Sequence, residues 1–203
     1  AVNHEEFHTD YSTEQIQEAI KKYHINEKYF LYLGTIEPRK NLERLIKAYV
    51  KLVSRHKDVP QLVLAGGNGW YYDDIFQMID TCHLKEQVVF TGYVDQKDSP
   101  LLMSGAMAFV FPSLYEGFGM PPLEAMACGT PVITSKTSSL PEVVGDAGIL
   151  VDPENVDEIC EAMEKMMNEP VYRETLGLKG KKRADKFTWQ KSAEQLMNVY
   201  QKL

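Results

Sequence analysis

The chain has 203 residues, with 22 Lys and Arg against 29 Asp and Glu for a formal charge of −7, and it is 44% apolar and 25% charged. That composition excludes disordered, collagen-like and disulfide-scaffold classes, and the length suits one sizeable domain. The acidic balance excludes a general nucleic-acid binder, which needs a basic excess to neutralise phosphates.

Ala1–Asp10 carries three carboxylates and no apolar run, so no signal peptide is expected there, and it reads as an arriving segment outside any repeat. His4-Glu5-Glu6-Phe7-His8 matches the zinc-protease spacing of two histidines one helical turn apart. Only three residues precede His4, and Thr9-Asp10 break any helix, so no metal site is expected. A short helix is predicted over Thr13–Tyr23, capped by Ser12 or Thr13. Short apolar runs then recur at Tyr29–Gly34, Leu62–Gly66, Val88–Gly92, Met107–Phe111, Val132–Ser135 and Gly148–Asp152. They are β-branched or aromatic, lack polar alternation and end at Gly, Pro or a small polar residue, as parallel strands covered on both faces do. Between them lie amphipathic segments such as Leu42–His56, whose Leu42, Leu45, Ile46, Tyr49, Val50 and Val53 form one stripe of period 3.6. After Asp152 only helices are predicted: Asp157–Asn168, one opening at Pro170 and Tyr172, and Trp189–Leu203. Repeated strand-then-helix units predict an α/β fold, a doubly wound, Rossmann-like parallel six-stranded sheet with C-terminal helices.

The longest mostly apolar stretch, Leu101–Phe111, has 11 residues, short of the roughly 20 that span a bilayer. Cys82, Cys128 and Cys160 are odd in number and widely spaced, as expected of reduced, mostly buried thiols in a cytoplasmic protein. His24, His56 and His83 fall near predicted helix ends, where capping or exposure is expected.

Ligands of an open parallel sheet bind beyond the carboxyl ends of its strands, so the residues after each run are the candidates. Gly34-Thr35-Ile36-Glu37-Pro38-Arg39-Lys40-Asn41 follows the first. Gly34 permits close backbone approach, and Arg39 and Lys40 put two cations at the predicted start of a helix, where the dipole already favours an anion. A phosphate partner and a solvated surface pair are both open readings. Pro112 to Glu124 follows the fourth run. Gly117 and Gly119 allow a tight loop, the two prolines fix a first helical turn, and the amides of Gly119 and Met120 can face a phosphate. Glu116 can accept hydrogen bonds from sugar hydroxyls, and Glu124 is badly placed for a phosphate but well placed for a ribose, with a surface acid favoured by the helix dipole as the bland alternative. Gly117-x-Gly119 lacks the third glycine of a dinucleotide fingerprint and follows the wrong strand, which excludes NAD. No Walker A, nucleophile-elbow or Asp-x-Asp sequence occurs. Gly66-Gly67-Asn68-Gly69 is a turn by composition that can also admit a ligand. Tyr93 and Val94 either flank a base or pack. Lys179–Lys186 reads as a solvated helix face, with attraction to a membrane surface as the sharper alternative.

In that order the pieces resemble the C-terminal half of a family 4 glycosyltransferase of the GT-B fold, over nearly the whole chain. The most specific element is Glu116-Gly117-Phe118-Gly119-Met120-Pro121-Pro122-Leu123-Glu124, supported by Cys128–Ile133 and Leu140–Gly145. Gly34–Asn41 resembles the branch rich in mannosyltransferases and polysaccharide-assembly enzymes. The resemblance implies a retaining transferase with a GDP- or UDP-sugar donor, mannose leaned, and neither cofactor nor metal. It implies Arg39 and Lys40 on the diphosphate, Glu124 on the ribose, Glu116 on a sugar hydroxyl, backbone groups of Phe118 to Leu123 on phosphate and sugar, and Tyr93 and Val94 near the base. Many members carry Arg directly after the first glycine; Thr35 stands there, which leaves the phosphate to Arg39 and Lys40.

The resemblance also implies a division into 1–12, a linker from an N-terminal domain; 13–187, the nucleotide-sugar domain; and 188–203, a helix returning to the other domain. A glycan or lipid-linked acceptor would be held by that other domain, in the cytoplasm or at the inner face of the membrane, with peripheral membrane association and no nucleic acid. The isolated unit is expected to bind donor without efficient turnover. A GT-B epimerase is disfavoured by the Glu116 and Glu124 loop, a phosphorylase by the lack of a pyridoxal-phosphate lysine context, and a non-catalytic nucleotide-binding module stays open.

Overall fold

Strands without polar alternation must be covered on both faces, and the helices between them provide the cover. The computed structural model describes residues 1–67 and 72–202, with Tyr72 and Asp73 described by backbone alone. Asn68 and Gly69 of the expected glycine turn, and Leu203 of the last predicted helix, lie outside the described residues. In chain order the elements are α1 (Thr13–Lys22), β1 (Tyr29–Leu33), α2 (Leu42–Arg55), β2 (Gln61–Ala65), α3 (Tyr72–Thr81), β3 (Val88–Gly92), α4 (Ser99–Gly105) and β4 (Ala108–Phe111). They continue with α5 (Met120–Ala127), β5 (Val132–Ser135), α6 (Leu140–Val144), β6 (Ile149–Val151), α7 (Val156–Asn168), α8 (Pro170–Ala184) and α9 (Trp189–Tyr200).

The strands form one six-stranded parallel sheet in the order β3-β2-β1-β4-β5-β6. The order reverses between β1 and β4, and that switch point opens a crevice at the carboxyl ends of these two strands. β1, β2, β4 and β5 are almost wholly buried, whereas the edge strands β3 and β6 are partly open. On one face α2 packs against α3 and α7; on the other α1 meets α4, α4 meets α5, and α5 meets α8.

Local chemistry sets the helix starts. Ser12 opens α1 with a reciprocal capping box to Gln15, Asn155 caps α7 through Asp157 N and Glu158 N, and Thr188 caps α9. Asn41 precedes α2 without capping it. It sits in the left-handed region at φ 61°, and its Nδ2 donates to Pro112 O at 3.0 Å and Pro153 O at 2.6 Å. The carboxamide therefore ties the start of α2 to the ends of β4 and β6 instead of satisfying its own helix.

The two outer segments of the chain pack differently. Ala1–Asp10 forms no helix or strand, yet it is fastened to the sheet unit: Val2 and Phe7 are buried, and Val2 N donates to Phe187 O at 3.1 Å. α9 has no buried residue among those described, and its Trp189, Leu196, Met197, Val199 and Tyr200 are exposed.

Candidate functional site

The loop after β1 begins with two backbones in contact. Gly34 N donates to Ala65 O at 2.9 Å, and a Cβ on Gly66, at φ 143°, would lie 2.1 Å from Gly34 O. Ile36 is buried and its amide donates to Gly67 O at 3.1 Å, which fixes the middle of the loop. The carbonyl of the exposed Thr35 accepts from Tyr32 Oη at 2.9 Å. Arg39 and Lys40 do not start α2, as the sequence suggested. They form a separate 3-10 turn, Pro38–Lys40, because the left-handed Asn41 breaks the chain direction before Leu42.

That turn aims both cations across the switch point at Glu116. Lys40 Nζ lies 2.7 Å from Glu116 Oε1, both side chains being about nine-tenths buried, and 4.8 Å above the Phe111 ring. Arg39 Nη1 lies 3.0 Å from Glu116 Oε2 and donates to Tyr115 O at 2.8 Å; its Nη2 pairs with Glu37 at 2.6 Å. Leu114 N donates to Arg39 O at 2.9 Å, so side chains and backbone together stitch the β1 and β4 loops. Burial pushes the Glu116 carboxyl up, but the Lys40 ammonium and the Arg39 guanidinium outweigh it and hold the group below the ordinary carboxylate range.

Beyond Glu116 the loop's carbonyls face inward. Ser138 Oγ accepts from Glu116 N and donates to Glu116 O, each at 3.0 Å, while Ser139 Oγ donates to Phe118 O at 2.8 Å. Gly119, at φ 110°, turns the chain into α5. The amides of Gly117, Phe118, Gly119 and Met120 donate no hydrogen bond among the described residues. Fixed carbonyls with unpartnered amides at a helix start make a natural anion cradle. Leu123, expected through its backbone, has a fully buried side chain, and its amide donates to Gly119 O at 3.3 Å.

Glu124, one turn into α5, is not a surface acid. It is partly buried and its carboxylate has no hydrogen-bond or ion-pair partner among the described residues. Burial, then the nearby Glu6, push its carboxyl above the usual range. It opens onto a cavity of about 430 Å³ lined also by Leu33, Tyr93 and Met120, by Glu6 and Phe7 of the first segment, and by Gln96 and Trp189. Tyr93 is 77% exposed at the rim. Val94, expected beside it, is only 8% exposed and belongs to the core, because the extended chain after β3 points successive side chains to opposite sides. The structure thus joins Arg39, Lys40 and Glu116 in one cluster, and Tyr93, Met120 and Glu124 around one cavity. Gly34, Gly117, Phe118 and Gly119 lie on the loops between.

Ser138, Ser139, Glu6 and Gln96 were missed as site residues from the sequence. Their own chemistry is unremarkable in a loop, and only the position of Ser138-Ser139 just beyond the β5 run could have pointed to them. A larger cleft of about 660 Å³, lined by Lys28, Met107, Pro131 and Arg173, lies at the amino-terminal ends of the strands, away from the switch point. The basic stretch of α8 is partly an internal fastening. Arg183 donates to Val143 O at 2.6 Å, Lys181 to Thr9 Oγ1 at 2.7 Å, and Lys179 lies 3.9 Å from Asp146. His56 is likewise more than a helix end, with Nε2 2.6 Å from Glu164 Oε1. His8 Nδ1 accepts from Asp10 N at 3.1 Å, and among the described residues no cluster of three His, Cys, Asp or Glu could hold a metal ion. No helix among them is long and apolar enough to cross a membrane.

A protein-family model described as glycosyl transferases group 1 matches residues 14–183. The O-antigen chain mannosyltransferase B of Escherichia coli is 40% identical over 185 residues, covering 91% of this chain and 49% of that protein. The serotype-specific mannosyltransferase WbdA of Escherichia coli is 36% identical over 196 residues, covering 96% of this chain and 24% of that protein. The chain therefore spans about half the length of one relative and a quarter of the other. Among solved structures, Anabaena HepE in complex with UDP and glucose superposes with a TM-score of 0.86 at 21% identity, over 100% of this chain and 56% of that one, a likeness of fold.

Proposed function

The chain belongs to the group 1 glycosyl transferases, with mannosyltransferase homologues, and from that premise we propose that its cleft is the donor side of a retaining transferase. In this reading a hexose, mannose by the lean of the homologues, passes from a nucleoside diphosphate sugar to a glycan or lipid-linked acceptor held elsewhere in the enzyme. One observation carries it: two cations meet the loop after β4 at Glu116, and that loop continues into α5 with four amides and the Glu124 carboxylate that have no partner among the described residues. A diphosphate satisfies the cations and amides, and a ribose diol satisfies Glu124.

The roles follow from charge. Arg39, Lys40 and the amides of Gly117 to Met120 take the diphosphate, whose negative charge grows as the bond from the sugar's anomeric carbon to oxygen breaks; fixed cations stabilise that growing charge without a metal. Glu124 accepts from the ribose hydroxyls. Glu116, released when phosphate replaces it on Lys40 and Arg39, accepts from a hydroxyl of the sugar. Tyr93 stacks on the base. The three free cysteines support a cytoplasmic setting, at the inner membrane face where a lipid-linked acceptor would lie.

Calorimetric titration with GDP and UDP tests the reading. Nucleoside diphosphate binding that is lost in Lys40→Ala and in Glu124→Ala is the expected result. Absence of any nucleotide binding at millimolar protein would turn the assignment toward a non-catalytic docking module.

A further inference from the structure

We infer that Glu6, held by Gln96, selects guanine at the far end of the donor cavity. The inference rests on the donor-site reading and names the nucleotide that the site takes.

At the switch point Arg39 and Lys40 are paired with Glu37 and Glu116, whereas the cavity of about 430 Å³ is lined by Glu6 and Glu124 and by no lysine or arginine. A ligand that spans both would bring a negative group able to take the place of Glu116 on the cations, and hydrogen-bond donors to the carboxylates of the cavity. A nucleoside diphosphate laid across the switch point meets both demands: the diphosphate on the cations, the ribose diol on Glu124 and the base toward Tyr93, Gln96 and Glu6.

Glu6 comes from the N-terminal segment, which buried Phe7 anchors to the sheet unit. Gln96 Nε2 donates to the two Glu6 oxygens at 3.2 and 3.3 Å, a neutral contact that orients the carboxylate and leaves its charge in place. An ionised carboxylate offers two oxygens and several lone pairs, so it retains acceptor capacity toward the cavity. Guanine presents two adjacent donors, N1–H and the 2-amino group, which a carboxylate accepts side by side. Uracil has its N3–H between two carbonyl oxygens that repel a carboxylate. Adenine and cytosine place their amino group beside an acceptor nitrogen. Guanine alone fits the charge and the spacing, and Tyr93 offers the base a flat face at the rim.

The alternative role for the contact is mere fastening of the first segment to the turn after β3. Titrating the 203-residue chain with GDP, IDP and UDP separates the two, because IDP differs from GDP only in lacking the 2-amino group. We expect the wild type to bind GDP about 10-fold tighter than IDP or UDP, as a charge-assisted hydrogen bond provides. Glu6→Gln should bring GDP down to the IDP level and leave UDP unchanged, and Gln96→Met should weaken GDP several-fold with UDP again unchanged. Equal weakening of all three nucleotides in Glu6→Gln, no change in any, or a wild type that prefers UDP would each overturn the inference while leaving the donor site intact. A wild type that binds no nucleoside diphosphate would overturn the donor-site reading as well. Thermal melts of each variant verify that it is folded.

Discussion

The carbonyl oxygen of Gly34 occupies the space next to Gly66 so closely that a methyl group on Gly66 would stand 2.1 Å from it. The obstacle is backbone, which cannot swing aside, and φ of 143° is itself poorly accessible to other residues. Gly66→Ala should therefore cost about 3 kcal/mol or more. Urea denaturation would measure it; a loss below about 1 kcal/mol would mean that the two strand ends are not in contact.

Lys40 and Glu116 are a buried pair bridging the β1 and β4 loops, and removal of one partner leaves the other charged in a poor solvent. Lys40→Ala should lower stability by about 3 kcal/mol. The double variant Lys40→Met with Glu116→Leu should regain most of that stability while nucleotide affinity stays absent. Recovery of both properties together would show that the pair serves folding alone.

The same pair sets an acid limit. Because the folded Glu116 titrates below its unfolded value, its stabilising contribution is complete above the unfolded carboxylate range and disappears as pH falls through the lowered folded value. Glu124 has the opposite sign. Its raised folded value means that ionisation costs stability as pH rises from the unfolded range through the folded one. Glu124→Gln should melt higher than the wild type at pH 7, lose that advantage near pH 3, and bind nucleotide at least about 10-fold more weakly. A variant that melts lower at pH 7 would contradict this.

Ser139 should affect binding more than folding. Ser139→Ala removes the donor to Phe118 O, at a cost of about 1 kcal/mol in stability, and frees the loop whose amides form the cradle. Faster hydrogen exchange at Phe118 to Met120, with weaker nucleotide binding, is the expected pattern; unchanged binding would show that the amides are held by α5 itself.

The frame of this molecule was legible because its central strands are buried on both faces. Tyr29–Leu33, Gln61–Ala65 and Ala108–Phe111 are almost wholly buried and mostly apolar, and the site loops follow from the strand ends by position. What escaped was anything decided by a side chain's direction. Val94 and Tyr93 are neighbours in sequence, yet one is core and the other rim. Arg39 and Lys40 looked like the first turn of a helix until the left-handed Asn41 displaced them, and nothing local links them to Glu116, 76 residues beyond Lys40. Ser138-Ser139 and the Glu6–Gln96 contact were hidden for a related reason. Polar residues in loops have many uses, and the partner that chooses among them is distant in the chain.

That Lys40 and Arg39 already hold a carboxylate bears on how ligand binding responds to salt. Bare cations attract mobile anions from solution, and a ligand that displaces them loses affinity steeply as ionic strength rises. In this site the displaced anion is Glu116, whose local concentration is set by its tether and does not change with the buffer. The electrolyte dependence of nucleoside diphosphate binding should accordingly be shallow for two cations meeting a diphosphate, and single inorganic anions should compete poorly.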